Sequence, residues 1–186
     1  MRKFKAYTLI EILVVFSMMA ILAGLAYPLL RHFFERSNDL LLQMQLLHAI
    51  QYAKGEATIR HHAVAICKSS NHRSCSGQWL DGLLIFMDEN NDGIVHDQNH
   101  ILSILTMPAQ EGRLFWQSFP VYHTYVAFSK HGLVSSDNGT FWYCQYGKTY
   151  PSWAVVLNRL GETHVIYPNK QGFIRNSRGR ILRCSE

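Results

Sequence analysis

Nineteen consecutive residues without a charged side chain, Ile12 to Leu30, limit what this 186-residue chain can become. A helix of roughly twenty apolar residues, rising about 1.5 Å per residue, crosses the hydrocarbon core of a bilayer. Arg2, Lys3 and Lys5 precede the run, and an excess of Lys and Arg on one flank marks the cytoplasmic side. The sequence therefore predicts a single membrane pass, with the extreme N-terminus in the cytoplasm and the remainder outside. One carboxylate, Glu11, stands at the head of the run. A charge in hydrocarbon costs a few kcal/mol or more, so it signals function and a partner. A cleavable secretory signal has a shorter apolar core and an Ala-x-Ala-like ending, and no such ending follows Leu30. An ordinary anchor explains the length but neither the acidic head nor Pro28.

Thr8-Leu9-Ile10-Glu11, behind a short basic leader and ahead of a long apolar helix containing Pro28, resembles the N-terminus of type IV pilins and pseudopilins. The resemblance implies a leader, Met1 to Ala6, removed by prepilin peptidase, and a mature chain that starts at an N-methylated Tyr7. Glu11 is then the fifth mature residue, whose family role is to pair with the N-terminal amine of a neighbouring subunit during assembly. Pro28 takes the place of the proline that kinks the family's helix. Two residues depart from the pattern. The family has Gly before the cut and Phe after it, where this chain has Ala6 and Tyr7, so slower cleavage is the expectation.

Beyond Pro28, Leu42, Leu46, Ala49, Ile50, Ala53 and Ala57 keep helical spacing, with Gln43, Gln45, Gln51, Lys54 and Glu56 largely on other faces. One helix from about Thr8 to about Ile59 is expected, apolar all round in its first half and amphipathic in its second. Gly24, Pro28 and Gly55 are its weak points. From Ala63 the pattern changes to short runs of β-forming residues: Ala63–Cys67, Leu83–Met87, Ile101–Leu105, Tyr125–Ser129, Thr140–Tyr143, Ala154–Leu157 and Thr163–Tyr167. Turn residues such as Asn90-Asn91-Asp92-Gly93 and Asp137-Asn138-Gly139 separate them. The fold class is α+β: a long N-terminal helix, transmembrane then amphipathic, packed on an antiparallel β-sheet. The organisation is a leader (1–6), a transmembrane and assembly helix (7–30), an amphipathic half (31–60) and a β-rich domain (61–186).

In this second part too there is a family resemblance. Ala49 to Ala57, then Ala63–Cys67, then Trp79-Leu80-Asp81-Gly82-Leu83-Leu84-Ile85-Phe86 with Asp88, Asn90, Asp92 and Gly93 are similar to the GspH/FimT class of minor pilins and pseudopilins. Gly139-Thr140-Phe141 leading to Cys144, then Ala154-Val155-Val156-Leu157 and Gly161, continue the likeness, and the tail ending near a cysteine resembles FimU-like members. It implies a type IV pilin-like fold and a subunit of a type IV pilus or a type II secretion pseudopilus. The implied location is the inner membrane, single-pass, with the C-terminal domain in the periplasm, and then a periplasmic or surface filament. The implied partners are other pilin or pseudopilin subunits, prepilin peptidase and the inner-membrane assembly platform.

Cys67, Cys75, Cys144 and Cys184 are an even number in a domain expected outside the cytoplasm, where disulfides are the normal use. Cys67 and Cys75 bracket a polar loop, and a Cys144 to Cys184 bridge would pin the tail, but spacing leaves crossed pairings open. Asp88-Glu89-Asn90-Asn91-Asp92-Gly93 matches the start of a calcium-binding EF-hand loop. The twelfth position is Asn99 rather than Glu, which favours a turn. The ten histidines are scattered, and no nucleophile, P-loop or metal signature argues for an enzyme or a cofactor.

Charge is uneven. Without Arg2, Lys3 and Lys5, fifteen basic residues face thirteen acidic ones, and Lys170, Arg175, Arg178, Arg180 and Arg183 crowd the tail. Some FimT members bind DNA through Gly-Arg-x-Arg after the late strand. The corresponding Gly161-Glu162-Thr163-His164 lacks both arginines, and Ser177 to Arg183 only approximates the motif. A solvated or subunit-contacting tail is the favoured reading, since positive charge alone discriminates poorly. A DNA-binding minor pilin is the alternative. A membrane-anchored calcium or sugar-binding module is the alternative of another class.

Overall fold

The structure is a computed structural model describing residues 8–108, 111–176 and 179–184. Ala6, Tyr7 and Arg178 lie outside the described residues. The chain divides into two units, Met1–Leu41 and Leu42–Glu186.

Helix α1 runs Leu9–Arg60, passing through Gly24, Pro28 and Gly55. In the first unit its stretch Leu9–Tyr27 has mean hydropathy 2.5 and no residue buried inside the protein. The helix begins where Thr8 caps it. Thr8 Oγ1 and the Thr8 carbonyl both accept from the Glu11 backbone N–H, at 3.4 and 3.1 Å. Thr8-x-x-Glu11 has the spacing of a capping box, and a carboxylate in the first turn suits the positive end of the helix dipole.

In the second unit eight strands form two antiparallel sheets rather than the one expected. The first sheet has the order β3-β2-β1-β5, built from β1 (Val64–Lys68), β2 (Leu83–Met87), β3 (Ile101–Leu105) and β5 (Tyr125–Phe128). The second has the order β4-β6-β7-β8, built from β4 (Gly112–Phe119), β6 (Asn138–Gln145), β7 (Trp153–Leu157) and β8 (Thr163–Ile166). Strand β5 returns to β1, pairing Ala65 with Ala127, and so leaves β4 to begin the other sheet. The sequence reading passed over β4.

Both sheets turn one face to the last turns of α1. Leu42, Leu46, Ala49, Ile50, Ala53 and Ala57 are all buried, in one cluster with Ile66, Ile85 and Phe128 of the first sheet and Trp116, Phe141, Trp153 and Val155 of the second. Full burial of a Leu or Ile is worth roughly 1.5–3 kcal/mol, so this helical stripe is the element both sheets fold on. Small residues at 49, 53 and 57 let the strands approach closely. Lys54 adds a polar latch, donating from Nζ to the carbonyls of Leu160 (2.8 Å) and Gly161 (3.4 Å) in the β7–β8 turn.

The outward faces are covered too. Over the first sheet, Val95 and Ile101 pack on Ala65, Cys67, Leu84, Phe86 and Ala127. Over the second, the C-terminal tail lays Ile174 and Leu182 on Ala154, with Trp142 against them.

Candidate functional site

Three regions gather the residues singled out in the sequence. The first is the head of α1. Glu11 occupies its first turn and is exposed, as are Ile12, Val15 and Phe16 beside it. Pro28 lies within the helical span.

The second is the tail. Cys144 and Cys184 form a disulfide across a sequence separation of 40, and Cys67 and Cys75 form another across 8. The tail is held by more than sulfur. The Trp142 indole N–H donates to the Arg183 carbonyl (3.1 Å), Cys184 N–H to the Thr149 carbonyl (3.0 Å), and Leu182 N–H to the Ile174 carbonyl (2.9 Å). Trp142 also stacks on Phe115, with ring centroids 5.3 Å apart. Sequence reasoning missed Ile174, Leu182 and Trp142 as anchors. The available signal was two apolar pairs, Phe173-Ile174 and Ile181-Leu182, in an otherwise polar, basic stretch.

The tail's cations are exposed. Arg175, Arg180 and Arg183 share this anchored segment, and Lys170 sits in the preceding turn. Arg175 is partly engaged: its guanidinium lies 5.0 Å from the Phe173 ring centroid and donates to the Gly179 carbonyl at 2.7 Å.

The third region is the loop after β2. Asp88 is buried and accepts from the backbone N–H groups of Asp92 (3.1 Å) and Gly93 (3.0 Å), one on each carboxylate oxygen. Burial pushes its carboxyl above the ordinary value of 3.8, against those backbone donors. Gly93 is required here: φ is +72° and an added Cβ would run into the Tyr125 ring. Asp92 goes the other way, its carboxyl held below 3.8 chiefly by the hydrogen bond to His96, Nε2 to Oδ2 2.7 Å. Asp88 thus serves as a turn acceptor, and Asp92 as an acceptor for the Ile94 N–H and the partner of the His96 ring. His96 and His100 stand four residues apart, a metal-like spacing the sequence reading overlooked. His96 faces Asp92, and His100 Nε2 lies 3.9 Å from Glu89 Oε1. Among the described residues no group of three His, Cys, Asp or Glu is placed to hold a metal ion.

An apolar helix with an acidic first turn thus continues into the core of an α+β domain. A family model described as type II transport protein GspH matches residues 43–161, more than half of the chain. The chain belongs to the GspH family. A prokaryotic N-terminal methylation motif matches residues 1–27, so the prepilin-type segment and the GspH domain sit on one chain. Among solved structures, the type IV minor pilin FimU of Pseudomonas aeruginosa is 20% identical, with TM-score 0.55 over 72% of this chain and 92% of that one. The minor pseudopilin EpsH from the type 2 secretion system of Vibrio cholerae is 13% identical, with TM-score 0.47 over 72% of this chain and 97% of that one. No curated protein matches the chain. This GspH-family chain is accordingly a minor pilin or pseudopilin, with a pilin-like fold and an apolar helix that fits membrane anchoring.

Proposed function

We propose that this chain is a structural, non-catalytic subunit held in the inner membrane by Leu9–Tyr27, with the unit from Leu42 on the periplasmic side. Prepilin peptidase cuts between Ala6 and Tyr7, the Tyr7 amine is methylated, and the inner-membrane platform builds the chain into a pilus or pseudopilus. Other pilin-type subunits are its neighbours.

One observation carries the reading. The 19-residue apolar span Leu9–Tyr27 holds a single carboxylate, Glu11, one turn after a Thr8 cap. In hydrocarbon that charge needs a partner, and the chain's own described residues offer it none. A methylated amine at the head of a neighbouring helix is a cation of the right depth.

Two measurements test this. The mass of the membrane-bound form should begin at Tyr7 with one added methyl group; a mature N-terminus beyond Leu30 would refute processing as a pilin. Glu11→Ala should stay in the membrane, since it removes only the cost of a charge, yet be absent from sheared filaments. Normal recovery of that variant would show that Glu11 has no assembly role.

A further inference from the structure

A cleft of about 410 Å³ opens at one end of the first sheet, where β1 begins between the ends of β2 and β5. That volume is within the range of small-molecule sites. Val64, the first residue of β1, pairs with Met87 on one side and Phe128 on the other. Continuing the register back to Ala63 and His62 brings Asp88-Glu89 alongside from β2 and Ser129-Lys130 from β5. The Asp88 N–H donates to the Ala63 carbonyl (2.9 Å), so the pairing does persist past the strand. Glu89 and Lys130 therefore line the cleft from opposite sides, two strand spacings or about 10 Å apart at the backbone. Helix α1 ends at the same place: His61, with φ +57°, turns the chain out of the helix, and His61 and His62 are exposed along the cleft.

The polar groups of this cleft are unspent. Among the described residues no ion pair joins Glu89 to Lys130, and the His100 ring is 3.9 Å from Glu89, past hydrogen-bond reach. The Ser129 hydroxyl is buried with no hydrogen-bond partner, although its backbone N–H and carbonyl are both used, by Leu133 and Gly132. A buried hydroxyl left unpaired carries its whole desolvation cost and calls for an explanation. A simple anion on Lys130 would leave Glu89 unanswered, and a simple cation on Glu89 would leave Lys130 so. A metal ion is disfavoured by the donor set, since no three His, Cys, Asp or Glu gather among the described residues.

A zwitterion answers both charges. We propose that this cleft binds a free α-amino acid. Its ammonium sits on the Glu89 carboxylate, at the C-terminal end of α1, where the helix dipole favours a cation. Its carboxylate accepts from Lys130 Nζ and the Ser129 hydroxyl. One carbon separates the two charges of the ligand, and a charge-assisted hydrogen bond of about 2.8 Å at each end bridges the remaining span. Asn91, His61 and His62 complete the lining, company that suits a small or polar side chain. The cleft shares no residue with the head of α1 or with the tail, so the proposal does not depend on the filament reading.

The test is ligand-observed saturation-transfer NMR on the full chain in detergent micelles, with glycine, L-alanine and L-serine as probes. The expected result is saturable binding with Kd on the order of 1 mM or tighter. Acetate and ethylamine, which carry one charge each, should bind about tenfold more weakly or worse. Diglycine, whose charges lie further apart, should also bind more weakly than L-alanine. Glu89→Gln and Lys130→Gln should each cost about tenfold in affinity for L-alanine. Both side chains are exposed, so the thermal melt of either variant should match wild type. Ser129→Ala should cost less than either. No saturable binding by any of the three amino acids, acetate or ethylamine binding as well as L-alanine, tighter binding of diglycine, or unchanged affinity in either Gln variant would each overturn the proposal.

Discussion

The two disulfides should contribute unequally to stability, and the inequality can be worked out beforehand. In the chain-entropy description a bridge stabilises by restricting the unfolded chain, with a term that grows as the logarithm of the loop closed. For a separation of 40 (Cys144–Cys184) this gives about 4 kcal/mol, and for a separation of 8 (Cys67–Cys75) about 2.5 kcal/mol. The difference, about 1.4 kcal/mol, does not depend on the additive constant and corresponds to a factor of about ten in the folding equilibrium. The perturbations are the paired replacements Cys144→Ser with Cys184→Ser, and Cys67→Ser with Cys75→Ser. The assay is urea unfolding of the unit Leu42–Glu186, compact by itself, followed by two spectroscopic probes to confirm a single transition. Cysteine removal at 67 also touches the buried face of β1, where Cys67 is 1% exposed; a Cys67→Ala with Cys75→Ala pair controls for a buried hydroxyl. If the 40-residue bridge proves worth less than the short one, loop entropy is not how it acts. The tail then frays alone, leaving the sheets folded.

The two aspartates of the β2–β3 loop should respond to pH in opposite senses. Asp88, raised by burial, contributes stability that is complete below pH 3.8 and fades as pH rises through its higher folded value, so the gap between wild type and Asp88→Asn should narrow toward neutrality. Asp92, lowered by His96, contributes above 3.8 and loses that contribution as pH falls through its folded value, so the gap to Asp92→Asn should narrow on acidification. Urea titrations at a series of pH values decide; parallel slopes would contradict both assignments. Lys54→Met should cost about 1–2 kcal/mol, because it keeps the stem and removes the donor to Leu160 and Gly161. Gly161→Ala should cost more than about 1 kcal/mol, since φ is +70° and its Cβ would meet the Gly132 carbonyl oxygen at 2.9 Å. Thermal melts showing no loss for either would separate this turn from the helix.

Where each residue's role is set by its sequence neighbours, the chain was readable. Six of the seven buried described positions of α1 follow from helical spacing; the seventh, Gln43, was read onto another face and is buried, its Oε1 accepting from the Tyr167 hydroxyl at 3.0 Å. Ile66, Leu84 and Ile85 fall in apolar runs that sit between neighbours on both sides. Strand β4 escaped because apolar side chains fall on both of its faces: Leu114 and Trp116 point inward, Phe115 and Phe119 outward, and the third inward residue is Ser118. Ser118 is buried with its hydroxyl donating to the Val121 carbonyl (2.7 Å) and accepting from the His123 N–H (2.7 Å), partners no periodicity reveals. Division into two sheets depends on β5 pairing with β1 across some sixty residues, and such long-range choices leave no local trace. The tail reads as solvated by composition, yet two apolar residues and one indole N–H tie it down.

Because the stripe from Leu42 to Ala57 is shared between the sheets, and among the described residues no strand ladder joins one sheet to the other, the domain has a defined load path. Tension applied along α1 enters through side chains wedged between two β layers and is resisted in shear, by many interdigitated contacts together. Lys54 pins the far end of the stripe to the β7–β8 turn. Drawing out the helix would strip both layers of their common filling at once.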